Sequence, residues 1–242
     1  MYFGELSEVS KIGDGFLANC TSLTSIDLFS LANLAEIADG FLYQCYDLES
    51  IDLSGLTALT KIGAYFIGNC SALESVDLSG LTALTTIGSY FLVSCTALTS
   101  IDLSPLTNLI TIDGDFLDNC SSLVTIDLSG LRGVESIGTY FLYNCRAHTT
   151  IDLSSLTALT SIGDDFLSGC TALTSIDLSP LSPTSPKSAP ISSPIAVPLP
   201  PSQSATKILE ASQSAPPTRC MASPTSPPTK SLGSKLKHSK IK

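Results

Sequence analysis

Residues 73–97 read L-E-S-V-D-L-S-G-L-T-A-L-T-T-I-G-S-Y-F-L-V-S-C-T-A, and the chain writes this unit again and again. Cysteine keeps the period: Cys20, Cys45, Cys70, Cys95, Cys120, Cys145 and Cys170 stand 25 residues apart. The apolar letters follow it in columns. One holds Leu23, Leu48, Leu73, Leu98, Leu123 and Leu173; another holds Ile26, Ile51, Val76, Ile101, Ile126, Ile151 and Ile176; a third runs from Phe16 to Phe166. A single unit has too few apolar residues to close a core. Stacked units turn each column into a ladder whose burial is shared with the neighbours, which is the logic of a solenoid.

Within the unit the pattern divides. The segment L-x-x-I-D-L ends in apolar–polar alternation, the mark of a strand. The segment I-G-x-x-F-L-x-x-C sets Phe, Leu and Cys at i, i+1 and i+4, which predicts a short helical turn on the opposite side. Ser-Gly or Ser-Pro followed by Leu marks the corner between them. The expectation is one strand per coil, stacked in parallel at about 4.8 Å.

Composition agrees with a repeat followed by something else. Of 242 residues 43% are apolar and 14% charged, against about 25% charged in an average domain. Residues 1–181 hold 21 of the 22 acids and only four of the 12 bases (Lys11, Lys61, Arg132 and Arg146), for a net charge of −17. Residues 182–242 carry +7 and 12 of the 14 prolines. No stretch approaches the roughly 20 apolar residues of a membrane-spanning helix. The acidity of the repeats argues against nucleic acid as a partner, because it repels phosphate.

The spacing L-x-x-I-D-L-x-x-L-x-x-L-x-x-I-G-x-x-F-L-x-x-C resembles the BspA-type leucine-rich repeats, over residues 6–181. The resemblance implies a leucine-rich-repeat solenoid of α/β type, with parallel strands on the concave face and short helical turns and loops on the convex face. It also implies a molecule of the cell surface or a secreted one, used for adhesion or partner binding, with no ligand named. Two departures stand out: the unit has 25 residues where 23 is commoner, and Leu31, Leu56 and their equivalents replace the Asn of many leucine-rich repeats.

The first candidate site is the aspartate column Asp27, Asp52, Asp77, Asp102, Asp127, Asp152 and Asp177, placed outward on the strand and so along the concave face. Like charges about 5 Å apart are unfavourable. Two readings stay open: a face that receives a basic partner, or one Asp copied with each duplication and screened by water. The partner would be a protein or a glycan. A single column gives an ion only two or three carboxylates, short of the 6–8 oxygens that Ca²⁺ prefers, so no metal is expected. The cysteines lie in a line rather than converging on a point, which suits a small buried apolar role better than zinc. His148 takes a Leu position with no second histidine in the repeats and reads as a degenerate unit. Asn19-Cys-Thr, Asn69-Cys-Ser and Asn119-Cys-Ser match the N-glycosylation pattern. Tyr65, Tyr90 and Tyr140 share a column that covers the convex turn. No phosphate loop, G-x-S-x-G or H-E-x-x-H occurs, so neither an enzyme nor a cofactor is expected.

Two segments follow: a solenoid over 1–181 and a Pro/Ser-rich basic tail over 182–242, disordered by composition. The tail also reads as the repeat translated out of frame, since Ser182 to Ala189 is what shifted codons of L-T-N-L-T-K-I-G produce. No signal peptide precedes the first repeat, and uncapped coils predict end-to-end association. The function expected is a non-catalytic binding scaffold of adhesion type. Its alternatives are a fragment of a longer array without an independent role, or a surface-coat spacer.

Overall fold

The computed structural model describes Leu6, residues 8–177 and the backbone of 196–198. Leu178, Leu181 and the expected disorder of 182–242 lie outside these, apart from that one short segment. In chain order the strands are β1 (Lys11–Ile12), β2 (Glu36–Ile37), β3 (Ser50–Asp52), β4 (Lys61–Ile62), β5 (Ser75–Asp77), β6 (Thr86–Ile87), β7 (Ser100–Asp102), β8 (Thr111–Ile112), β9 (Thr125–Asp127), β10 (Ser136–Ile137), β11 (Ser161–Ile162), β12 (Ser175–Asp177) and β13 (Ala196–Pro198). All pairings but one are parallel with a register of 25, as Ser50 to Ser75 and Ile37 to Ile62 illustrate. The exception is β13, which lies antiparallel to β12.

The chain is thus a parallel-strand solenoid, but most coils carry two short strands instead of the one expected. The second is the two-residue T-I or K-I segment before the glycine, too brief to show alternation in sequence. Between the two sheets the columns fill a continuous core. Phe41, Phe66, Phe91, Phe116, Phe141 and Phe166 are buried, with ring centroids 4.9–5.7 Å apart and planes within 15° of parallel. Stacked pairs of this kind contribute about 0.5–1.5 kcal/mol each beyond their buried area.

The helical turn expected after I-G is not formed. In its place the backbone takes positive φ at every second residue: Leu17 (56°) and Asn19 (62°) after Gly15, then Leu42 and Gln44 after Gly40, and on to Asp165 and Leu167 before Gly169. The i→i+3 bonds from Ala18 to Gly15 and from Cys20 to Leu17 close overlapping turns with a left-handed third residue. A helix would bond within itself; this corner bonds outward. The amides of Tyr90 and Ser94 donate to Gly114 and Asp118 of the following coil, while Leu92 donates to Phe66 of the preceding one. Spacing alone does not separate the two, because Phe, Leu and Cys point inward in either.

The sheets are interrupted at particular residues. Ladders join β3 to β5 and β7 to β9, but none joins β5 to β7. The residue after Asp-Leu-Ser contributes, though glycine there is not enough, because Gly55 holds the position and residues 25–27 form no strand to join β3. At Gly80 and Gly130 a Cβ would run into the carbonyls of Ser54 and Ser104, so only glycine allows that approach. Pro105 and Ser155 stand at the same position in the coils whose strands are not joined to the preceding one. The second sheet breaks by the same rule: a Cβ at Gly138 would crowd Gly114 and Asp113, and Asp113 itself stands where the unit has Gly88. No ladder joins β6 to β8 there. Ala38 is the exception, since β1 and β2 stay paired beside it.

Replacing Gly80 with Ala should therefore cost about 1–3 kcal/mol in urea unfolding, as overpacked contacts do. The double change Pro105→Gly and Asp113→Gly should slow amide hydrogen exchange over 76–78 and 111–113 by joining the ladders.

Candidate functional site

The aspartate column is where the sequence places it: on the sheet surface, with its carboxylates outward and the following Leu turned into the core. The structure adds a task for each side chain. Oδ1 of Asp27, Asp52, Asp77, Asp102, Asp127 and Asp152 accepts the amide of Phe29, Ser54, Ser79, Ser104, Ser129 and Ser154 at 2.8–2.9 Å. This is an Asx turn, in which a side chain stands in for a backbone carbonyl and turns the chain out of the strand. Hydrogen bonds from the Ser54 hydroxyl and amide hold the Asp52 carboxyl below its ordinary range; the Ser154 amide and hydroxyl do the same for Asp152. The ion pairs among the described residues lie elsewhere, where Glu36 meets Lys11 and Lys61 at 3.1 Å. Among the described residues, no lysine or arginine lies within ion-pair distance of Asp27 through Asp152.

Clefts open where neighbouring Ser-Ile-Asp segments are not joined. One of about 220 Å³ lies between Asp27 and Asp52, beside the exposed Phe29. A second, of about 370 Å³, is lined by Asp52, Asp77 and Asp102. A third, of about 410 Å³, lies between Asp127 and Asp152 and includes Arg132. The column is therefore not a uniform stripe but a set of carboxylate-edged clefts.

The cysteine column points inward, and six of its thiols do more than fill space. Cys45, Cys70, Cys95, Cys120, Cys145 and Cys170 each donate Sγ–H to the carbonyl of the residue 28 positions earlier, at 3.1–3.2 Å. Those acceptors, Leu17 through Leu142, are the left-handed residues of the preceding corner. Burial pushes the Cys70 and Cys170 thiols up to about 12 and raises those of Cys95, Cys120 and Cys145 further. They stay protonated, as donors must.

His148 is buried, and neither ring nitrogen has a hydrogen-bond partner among the described residues. Burial lowers its pKa, with the backbone at Val124 and Leu123 slightly favouring the charged form. The strand due at 150–152 of that coil is not formed.

On the opposite corner the structure adds two carboxylates, not foreseen from sequence, to the tyrosine column. Tyr65 and Tyr90 stack at 4.4 Å, and Tyr140 meets Tyr143 edge-on at 5.2 Å. Asp115 and Asp118 occupy the coil between them. Burial, then the charge of Asp115, pushes Asp118 up to about 6, and its Oδ1 is buried without a partner among the described residues. The signal was available, since Asp115 sits in the Tyr65 column and Asp118 in the Tyr43 column. Of the glycosylation-type asparagines, Asn69 and Asn119 already donate their amides to Tyr43 and Ser94.

The family model described as BspA type leucine rich repeat region matches six copies, over residues 5–113 and 85–189. No curated protein matches the chain by sequence. Among solved structures, a leucine rich cell surface protein of Faecalibacterium prausnitzii A2-165 is 24% identical, with a TM-score of 0.57 over 70% of this chain and 42% of its own. A leucine-rich repeat protein of Eubacterium ventriosum is 20% identical, with a TM-score of 0.46 over 62% of this chain and 41% of its own. The chain spans about two fifths of the length of both. The first of these shares the solenoid fold. No helix among the described residues is long and apolar enough to cross a membrane.

Two outcomes follow from the buried groups. Unfolded thiols ionise above about pH 8.5 while the folded ones keep their protons, so stability should fall as pH rises past that point. Circular dichroism against urea at pH 7 and pH 10 checks this. His148→Leu should stabilise by about 1–3 kcal/mol, the cost of an unpartnered buried polar group. That gain should widen below about pH 6.5, where the unfolded imidazole takes a proton that the folded ring refuses.

Proposed function

Because the chain belongs to the BspA-type leucine-rich repeat family, we propose that it is a non-catalytic binding scaffold of the cell surface that receives a basic partner along the Ser-Ile-Asp face. One observation carries the reading: six carboxylates in a row, each with one oxygen held in an Asx turn, form no ion pair with a lysine or arginine among the described residues.

The physical argument is one of unused charge. Neighbouring carboxylates repel by roughly 0.8 kcal/mol per pair at 5 Å in water. The turn needs only an acceptor oxygen, which Asn would supply without charge. Negative charge at this position is thus more than the fold requires. A row of it steers a cationic chain and fixes its register. The net charge of −17 over residues 1–181 extends the same field. The surface placement draws on the family and on the F. prausnitzii protein, which carries that description.

The test uses oligolysine as the probe and the triple variant Asp52→Asn, Asp77→Asn, Asp102→Asn, in which the turns are retained. Binding by the unaltered chain should weaken as salt rises through the physiological range. The variant should bind at least about tenfold more weakly. Equal binding by both proteins, or binding indifferent to salt, overturns the reading.

A further inference from the structure

The cleft between Asp127 and Asp152 differs from the others in a way that points to a different ligand. A copied unit should give copied clefts, and the two nearer the N-terminus offer carboxylates and hydroxyls only among their charged and polar side chains. The third, of about 410 Å³, adds a guanidinium. Arg132 stands where the other units have Ala32, Thr57, Thr82, Thr107 and Thr157. Its Nε donates to the Ser129 carbonyl at 3.4 Å, and no carboxylate lies within ion-pair distance of it among the described residues.

Two further departures from the repeat meet at the same place. Ser155 replaces the corner glycine, and its Oγ donates across to the Leu128 carbonyl at 2.7 Å, a strut between the coils. His148 lies in the same coil, and the strand that would join β9 is not formed at 150–152. The cleft is therefore set by the coil that differs from its siblings, and it lies in the volume range of small-molecule sites.

We propose that this cleft binds a neutral polyhydroxylated ligand, a sugar residue either free or at the end of a glycan. The proposal rests on the reading that the Ser-Ile-Asp face is the binding face, and it narrows one part of that face to a ligand class. The reason lies in the mixture of groups. Asp127 and Asp152 repel a simple anion, and Arg132 offsets one of their charges and weakens the hold on a simple cation. A sugar hydroxyl both donates and accepts. Neighbouring hydroxyls can donate hydrogen bonds to the carboxylate oxygens not used in the Asx turns and accept them from the guanidinium. Ser129, Ser154 and Thr157 add hydroxyls that can serve either way. The half-buried Ile126 gives the C–H face of a ring an apolar wall.

The experiment is saturation-transfer NMR on the full chain with glucose, galactose and mannose as probes, repeated with Arg132→Thr. That change restores the letter of four sibling units, so folding is kept. At least one hexose should bind saturably, and the variant should lose about tenfold in affinity, the value of one charge-assisted contact. Tighter binding of a matching tetrasaccharide assigns the site to a glycan end; equal binding assigns it to the free sugar. Absence of saturable binding by any hexose up to about 50 mM overturns the proposal. So does sugar binding that survives Arg132→Thr, or glycine bound more tightly than every hexose. Oligolysine binding, measured on the same two proteins, separates failure of this site from failure of the acidic-face reading, since Arg132→Thr leaves every carboxylate in place and should not weaken it.

Discussion

The amide of a left-handed residue donating to the neighbouring coil is the bond on which the architecture rests. Each long corner passes through three residues of positive φ, and 18 of the 21 across the described coils are not glycine. Outside glycine such a conformation costs about 1–3 kcal/mol and persists only where surroundings impose it. The surroundings here are the coils above and below. Bonds such as Asn69 to Val93 and Ile67 to Phe41 satisfy groups that an isolated unit would leave to water. One unit alone has the strain without the compensation, so the fold exists only as an array. The thiol column belongs to the same device: each Sγ–H reaches the carbonyl of a left-handed Leu or Ile in the coil before, inside the core, where water cannot serve.

Placement of the surface chemistry follows from how closely the coils approach. Where Gly80 and Gly130 allow contact, the Ser-Ile-Asp strands zip and the surface between them is closed. Where Pro105 or Ser155 intervenes, the strands part and a carboxylate-edged cleft remains. The corner residue thus bears on both the pairing of the sheet and the access to its edge, although the cleft beside Gly55 stays open with glycine in place. The Asx turns keep one oxygen of each carboxylate occupied and leave the other toward solvent, so the turn chemistry fixes how the acidic row is presented.

Much of this was legible from the letters. The 25-residue period, the inward columns of Phe, Leu, Ile and Cys, the parallel stacking and the outward Asp column all appear in the structure as the spacing implies. The helical turn did not, because inward Phe, Leu and Cys at i, i+1 and i+4 fit a zigzag of left-handed turns equally well. A hint lay in the choice of Gly15, Asn19, Gly40, Asn69, Asn119, Asn144 and Gly169 at those positions, residues that tolerate positive φ. The second strand spans two residues and has no alternation to read. The donor role of the thiols depends on a residue 28 positions away, a distance that only the coil geometry makes short. The Asx turns were readable in principle from Asp followed two residues later by Ser, and they give the aspartates a structural reason that repetition alone does not.

Among the described residues, one coil boundary lacks both ladders: β5 is not joined to β7, nor β6 to β8. Across it run the stacked Phe91 and Phe116 at 4.9 Å, the Cys120 bond to Leu92, the corner amides and, in the turn between the strands, the Asn108 amide donating to the Thr82 carbonyl at 2.7 Å. In mechanical terms this boundary is a seam, held by its corner and by the Asn108 bond but by no strand ladder. A tensile load along the axis would concentrate there, where no strand ladder shares it. Extension would then widen the cleft among Asp52, Asp77 and Asp102, so that the grip of this face would depend on the force applied to the chain.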